Sequence, residues 1–307
     1  MRKRMAIFLF ACLTGLCACK TTATEVETEP ATTIEITTEL MTEEKTSIEE
    51  TLEEETEPAT YTFVNVKGEV FEAPLLDGVP KTSYDYTRIE TDGEFKYYLD
   101  EKGHRISRLG IDVSKYQPNV DWESVKAMGI DFAIVRCGFR GYGASGKLVE
   151  DEAFQKHVSG AKAAGLQVGV YFFSQAITKE EAVDEANFVL GLIADQGIDG
   201  PVIFDTEEIK DDTARTDHLT PEQFTDHCIA FCERIKEAGY SPMIYANMPW
   251  LAFTLELERL NDYEIWYADY EPVPQSPYRI AMWQYTETGR VPGIEGNVDL
   301  NVWFSPS

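Results

Sequence analysis

Between residues 109 and 302, short apolar runs recur at intervals, several separated by helical patterns, and this alternation limits what the chain can fold into. The runs occupy 109–113, 132–137, 167–173, 202–205, 243–245, 265–270, 280–285 and 298–302. Short, near-continuous apolar runs of this kind read as strands buried on both faces. Two helix starts between them carry their own chemistry. Thr178 and Glu181 have capping-box spacing, and Thr220 is followed by Pro221 and then by Gln223, three residues on. Eight short strands with intervening helices in about 200 residues predict an α/β fold, a TIM-like (β/α) barrel over 108–307. The stretch from Tyr270 to Ile280 is rich in proline and has no helical pattern, so the barrel is expected to be irregular.

Three segments precede the barrel. Residues 61–107 carry turn signals at Asp77-Gly78, Asp92-Gly93 and Lys102-Gly103 and a strand pattern at Phe95–Tyr98. They predict a small β appendage, with a hairpin around Asp100–Gly103 feeding the next segment. Residues 20–60 hold 13 Thr, 13 Glu and 2 Lys, with no aromatic residue and no glycine. Such a composition has too little apolar surface to offset ordering entropy and predicts a disordered tether. A flexible chain of that length averages roughly 35 Å end to end, and charge repulsion stretches it further.

Residues 1–19 read as an export signal. Arg2, Lys3 and Arg4 precede an apolar run from Met5 to Leu16, too short to span a bilayer comfortably. The run ends in Leu16-Cys17-Ala18-Cys19, which resembles a bacterial lipobox. Cys19 is the expected lipidation site, with Cys17 the alternative; bulky Leu16 disfavours cleavage before Cys17. The chain is therefore expected outside the cytoplasm, lipid-anchored to the membrane and facing the cell wall.

Composition excludes other classes. Acidic residues outnumber basic ones 54 to 27, for a net charge of -27, and a field of that sign repels phosphate backbones, so no nucleic-acid partner is expected. Hydrophobic residues make up 43% of the chain, enough for a large core. No run of about 20 apolar residues occurs beyond the N-terminus, which leaves the lipid as the sole expected membrane contact.

In a (β/α) barrel, functional groups collect at the C-terminal ends of strands. Asp205 and Glu207 lie there, two residues apart, a spacing of about 6.6 Å along one strand face. Asp112 closes the first strand candidate and Asp299 lies in the last. First and last strands of a closed barrel are neighbours, so Asp112 and Asp299 should converge. One such aspartate is an ordinary turn or cap residue. Four carboxylates around one cavity are costly unless used, and they raise at least one pKa into the range of a general acid. Tyr171, Tyr245, Trp266, Tyr267, Tyr270, Trp283 and Tyr285 fall within or at the ends of the same strands. Rings beside carboxylates suit a carbohydrate cleft, although alternation turns Tyr267 away from Trp266 and Ala268.

Together, Gly110-Ile111-Asp112-Val113-Ser114 with Tyr116-Gln117 and Asp121-Trp122, then Val135-Arg136, Tyr171, Asp205-Thr206-Glu207, Trp266 with Ala268 and Tyr270, Trp283-Gln284-Tyr285 and Asp299-Leu300-Asn301 resemble glycoside hydrolase family 25. These are Chalaropsis-type lysozymes, N-acetylmuramidases that cut the β-1,4 bond after N-acetylmuramic acid in peptidoglycan. The resemblance runs from about Leu109 to Phe304. It implies that Glu207 is the proton donor, that Asp205 acts across the reacting carbon as nucleophile or by orienting the N-acetyl group, and that Asp112 and Asp299 tune the pair. It further implies that Arg136, Tyr171, Tyr245, Trp266, Tyr270, Trp283, Gln284 and Tyr285 line the substrate site. Many relatives have a histidine where Lys115 precedes Tyr116, a departure that bears on a subsite rather than on the acids.

No cofactor or metal is expected. His104, His157, His218 and His227 lack paired ligand spacing, and His227, Cys228 and Cys232 on one helix have no second ligand pair. Cys137, Cys228 and Cys232 are three, an odd number, so at least one thiol is free. The chain is expected to act as a monomer on peptidoglycan glycan strands. Two alternatives stand beside that reading: a chitinase-like barrel glycosidase, disfavoured by Ile203 where that family has an aspartate, and a wall-binding lipoprotein that holds glycan without cutting it.

Overall fold

A computed structural model describes residues 59–304, Val66 and Asp211 excepted. The expected export signal, Cys19 and the expected tether up to residue 58 lie outside the described residues.

The appendage consists of two hairpins. Strands β1 (Thr60–Val64) and β2 (Val70–Pro74) pair antiparallel. Their turn is held by the Asn65 side chain, which accepts from the backbone N–H groups of Lys67 and Glu69 at 2.9 and 3.0 Å. Strands β3 (Ile89–Asp92) and β4 (Phe95–Tyr98) pair across Gly93, which takes φ 60°, a left-handed value that glycine adopts without steric cost. The expected strand at Phe95–Tyr98 is present, but its ladder partner lies upstream of it. The Asp100–Gly103 turn is closed by a single bridge between Leu99 and Arg105.

The barrel follows in β5 (Ser107–Val113), helix α1 (Trp122–Ala127), β6 (Phe132–Arg140), β7 (Leu148–Glu150), α2 (Phe154–Ala163), β8 (Gln167–Phe173), α3 (Lys179–Ile193), β9 (Val202–Asp205), α4 (Pro221–Glu237), β10 (Pro242–Asn247), α5 (Met248–Phe253), β11 (Glu264–Ala268), β12 (Met282–Gly289) and β13 (Val298–Phe304). Among the described residues, eight strands close in the order β5-β13-β12-β11-β10-β9-β8-β6, with β5–β6 completing the ring and β7 paired outside on β6. Seven of the eight run parallel, and β13 runs antiparallel to both its neighbours. The two helix starts read from sequence are realised. Thr178 accepts from Glu181 N at 3.2 Å, and Thr220 and Gln223 form a reciprocal capping box with Pro221 in the first turn. Each cap stabilises its helix by about 1 kcal/mol.

The wall is covered in two ways. Helices α2 to α5 pack outside β6, β8, β9 and β10. The segment joining β11 to β12 contains no helix but Pro272, Pro274 and Pro277, and the appendage occupies the corresponding outer face. There Tyr84 stacks on Phe304 at 4.6 Å, Tyr61 meets Tyr278 edge-on at 5.8 Å, and Lys96 Nζ lies 4.8 Å from the Trp283 ring centroid. Cys137, Cys228 and Cys232 are free, buried thiols, the last two on the core face of α4. Among the described residues no helix is long and apolar enough to cross a membrane.

Candidate active site

The barrel lumen is filled from below. Phe132, Ile134, Ile203, Met243, Trp266 and Met282 pack into an apolar floor with Trp303 against it. Carboxylates placed on such a floor lose hydration, which disfavours their charged forms.

Asp112 and Asp299 are directly opposed across the β5–β13 ladder. Asp299 stands near the start of β13 and reaches the open end because that strand is antiparallel. Asp112 is 4% exposed. Its Oδ2 accepts from Asn301 Nδ2 at 2.8 Å and from Gln284 Nε2 at 3.0 Å. Both donors are themselves held. Asn301 Oδ1 accepts from Trp266 Nε1 at 2.8 Å, and Gln284 Oε1 accepts from the hydroxyls of Tyr245 and Tyr270 at 3.1 and 3.0 Å. The two phenols fix which end of the Gln284 amide faces Asp112. Every bond in this network therefore polarises toward Asp112.

Burial raises the Asp112 carboxyl above its ordinary range, and the donors from Asn301, Gln284 and Asp299 oppose that rise. Asp299 is pushed up to about 9, first by burial and then by the charge of Asp112, to which it is hydrogen-bonded. The pair thus holds a proton on Asp299 at neutral pH.

Asp205 is the last residue of β9 and is 4% exposed. Its carboxyl is raised well above the usual range by burial and by the charges of Glu207 and Asp112, and its Oδ1 is buried without a hydrogen-bond partner. Glu207 lies two residues beyond the strand end, half-buried, with its carboxyl raised to about 7, chiefly by burial, against the opposing charge of Lys210. The structure therefore brings all four acids to one end of the lumen. A carboxyl near 7 keeps its proton in about half of the molecules at neutral pH and can serve as a general acid.

The aromatic residues divide. Tyr245 packs edge-on against Trp266 at 4.7 Å and Tyr171 does so at 6.0 Å, both facing the lumen. Tyr270 borders the same acids, whose charges raise its hydroxyl pKa beyond the effect of burial. Arg136 faces the same end, its Nε donating to Asp151 Oδ2 at 2.7 Å and its guanidinium 5.2 Å from the Tyr116 ring centroid. Trp283 and Tyr285 are a correction. Expected to line the substrate site, they occupy the outer face of β12, opposite to Met282 and Gln284. Trp283 Nε1 donates to Asp269 O at 2.7 Å, and Tyr285 OH to Glu94 O at 3.1 Å. Both are core beneath the appendage.

Sequence reading missed four contributors. Asn301 shares a strand face with Asp299, so alternation could have found it. Tyr116, 71% exposed at the rim, lay in a quoted motif without a role. Lys210 and Glu287 act on Glu207 by charge, but Glu287 follows a register shift in β12 that breaks the alternation. Among the described residues no group of three or more His, Cys, Asp or Glu is arranged to hold a metal ion.

Residues 111–294 match the family model described as Glycosyl hydrolases family 25. The chain is 27% identical over 205 residues to the uncharacterized protein YegX of Escherichia coli K12, covering 63% of this chain and 68% of YegX. It is 24% identical over 193 residues to the autolytic lysozyme of Clostridium acetobutylicum, covering 62% of this chain and 54% of that protein. Its fold is similar to the modular autolysin LytC from Streptococcus pneumoniae, solved with a synthetic peptidoglycan ligand, with TM-score 0.57 and 20% identity over 80% of this chain. The match spans 56% of that autolysin, little more than half its length.

Proposed function

Because the chain belongs to glycosyl hydrolases family 25, we propose that it is a peptidoglycan hydrolase, a muramidase cutting the β-1,4 bond between N-acetylmuramic acid and N-acetylglucosamine. The observation that carries this reading is the Glu207 carboxyl, raised to about 7 at the rim of a cluster with Asp112, Asp205 and Asp299. Glu207 gives its proton to the leaving glycosidic oxygen. Asp205 acts on the far side of the reacting carbon, as nucleophile or by orienting the substrate's N-acetyl group. Positive charge developing on the sugar ring favours the ionised forms that burial disfavours in the resting site, so the cluster binds the transition state better than the substrate. Asp112, paired with protonated Asp299, supplies that field. Tyr171, Tyr245, Trp266 and Tyr270 shape the sugar site, and Arg136 with Tyr116 borders it.

The same proposal places the chain outside the cytoplasm, anchored through a lipid on Cys19 and acting as a monomer on nearby wall. Cys19→Ala is then expected to move the protein from the membrane fraction to the soluble fraction, and an unchanged distribution would remove the anchor from the reading.

The test of activity is to incubate the purified full chain with peptidoglycan, reduce the products with borohydride and identify the reduced sugar by mass spectrometry. Reduced N-acetylmuramic acid is expected, with Glu207→Gln lowering the rate by about 10²–10⁴-fold. The rate should decline as pH rises above about 7, where Glu207 loses the proton it must donate. Reduced N-acetylglucosamine would instead make it a glucosaminidase. Binding without new reducing ends would favour a wall-binding protein.

A further inference from the structure

The segment joining β11 to β12 lies where a (β/α) barrel ordinarily places a helix. Its prolines lack N–H donors and cannot build a ladder, and its polar groups are met by the appendage instead. Three attachments converge on it. Gln275 pairs with the end of β1 as a neighbouring strand would: its Oε1 accepts from Val64 N at 2.7 Å and its Nε2 donates to Val64 O at 2.9 Å. Lys96 Nζ donates to Pro272 O at 2.5 Å, and Thr82 N donates to Pro277 O at 2.9 Å.

The same segment begins at Asp269, a buried acid on the appendage side of the wall. It accepts from Tyr267 OH at 2.7 Å, Glu271 N at 3.2 Å, Gln275 N at 2.9 Å and Gln275 Nε2 at 3.1 Å. The next residue is Tyr270, whose hydroxyl meets Gln284, which in turn holds Asp112. A continuous run of short contacts therefore leads from the β1–β2 hairpin to the acid cluster, and Gln275 is its narrowest point.

We propose that Gln275 is a positioning residue. By bonding to both Val64 and Asp269 it fixes the backbone that presents Tyr270, so the N-terminal hairpin sets the glycan affinity of the cleft. This rests on the reading of the cleft as a glycan site. The role needs an amide, because one side chain must accept from Val64 N while donating to Val64 O and Asp269. Glutamate at this position has no N–H to donate and sets a second charge beside Asp269. Without the clamp, binding must order Tyr270 as well as the glycan, which weakens affinity by about tenfold.

The experiment is a double-mutant cycle in the full chain carrying Glu207→Gln, so that bound glycan is not consumed. A soluble fragment of alternating N-acetylmuramic acid and N-acetylglucosamine is titrated calorimetrically into the parent, Gln275→Leu, Tyr270→Ala and the double variant, each well below its melting temperature. Gln275→Leu is expected to bind about tenfold more weakly, and the double variant no more weakly than Tyr270→Ala alone, because Gln275 acts through Tyr270. With Glu207 intact, the loss should fall on KM more than on kcat. Gln275→Glu should reproduce the pattern, and it replaces Gln275→Leu should that variant fail to fold. Unchanged binding, or losses that add in the double variant, would overturn the proposal. A chain that binds with the non-additive pattern yet releases no reducing ends would sink the hydrolase reading and leave the positioning role. One that cleaves while the losses add would do the reverse, and one that neither binds nor cleaves would overturn both.

Discussion

The two halves of the barrel wall solve one problem by different means. Strands β6, β8, β9 and β10 are backed by helices that follow them in sequence, each closing its own apolar stripe over the sheet. Strands β11, β12, β13 and β5 are backed by prolines, tyrosines and two hairpins drawn from residues before the barrel. A strand buried on its inner face also needs its outer face dry, and the source of the cover is immaterial to the hydrophobic gain. The source matters for the site. Asp205 and Glu207 come from the helix-backed half, whereas Asp112, Asp299, Gln284, Asn301 and Tyr270 come from the appendage-backed half. The cleft sits on the seam, and five of these seven groups lie in the half covered by a segment outside the matched region 111–294.

The largest test of this division is Trp283→Ala. Trp283 is fully buried against the appendage rather than the lumen, so its loss should cost about 3–5 kcal/mol of stability. A chemical melt should show that cost. Were Trp283 instead a glycan platform, affinity would fall while stability held, and the assignment of the outer face would fail.

Trp283 also shows where sequence reading stops. The positions of the strands were legible because short apolar runs at regular intervals have few other uses in a chain of this composition. The convergence of Asp112 and Asp299 was legible from closure alone. The facing of β12 was not: both of its faces are buried, so Trp283-Gln284-Tyr285 alternates without saying which parity looks inward. The direction of β13 was equally hidden, since an apolar run reads the same both ways. Asp299 reaches the site from the start of its strand, contrary to the rule used to find it. The appendage's role rests on contacts such as Gln275 with Val64, which no local pattern encodes.

The next effect lies inside the appendage-backed half. Folded Asp299 keeps its proton up to about 9, while a free carboxyl releases it near 3.8. Between those values the folded chain binds the extra proton, so this group's contribution to stability falls as pH rises. Asn has no proton to lose, and its amide can donate to Asp112 in place of the acid. Asp299→Asn should therefore gain in melting temperature relative to the parent between about pH 5 and about pH 8. Parallel curves would show that Asp299 does not hold the extra proton in the fold.

The smallest effect belongs to the helix-backed half and sharpens the contrast. Thr220→Ala removes the acceptor for Gln223 N at 3.3 Å but leaves Gln223 Oε1 free to accept from the backbone N–H at position 220, now 2.9 Å away. The cost should be about 1 kcal/mol, a fall of about 2–4 °C in melting temperature for a domain of this size. Helix α4 packs on β9 and β10 from outside the barrel. Its loosened first turn should therefore leave KM for a soluble glycan unchanged below the melting temperature. Gln275→Leu should raise it. A change in KM from Thr220→Ala would show that the helix-backed half positions the cleft as well, and the two covers would then differ in origin but not in consequence.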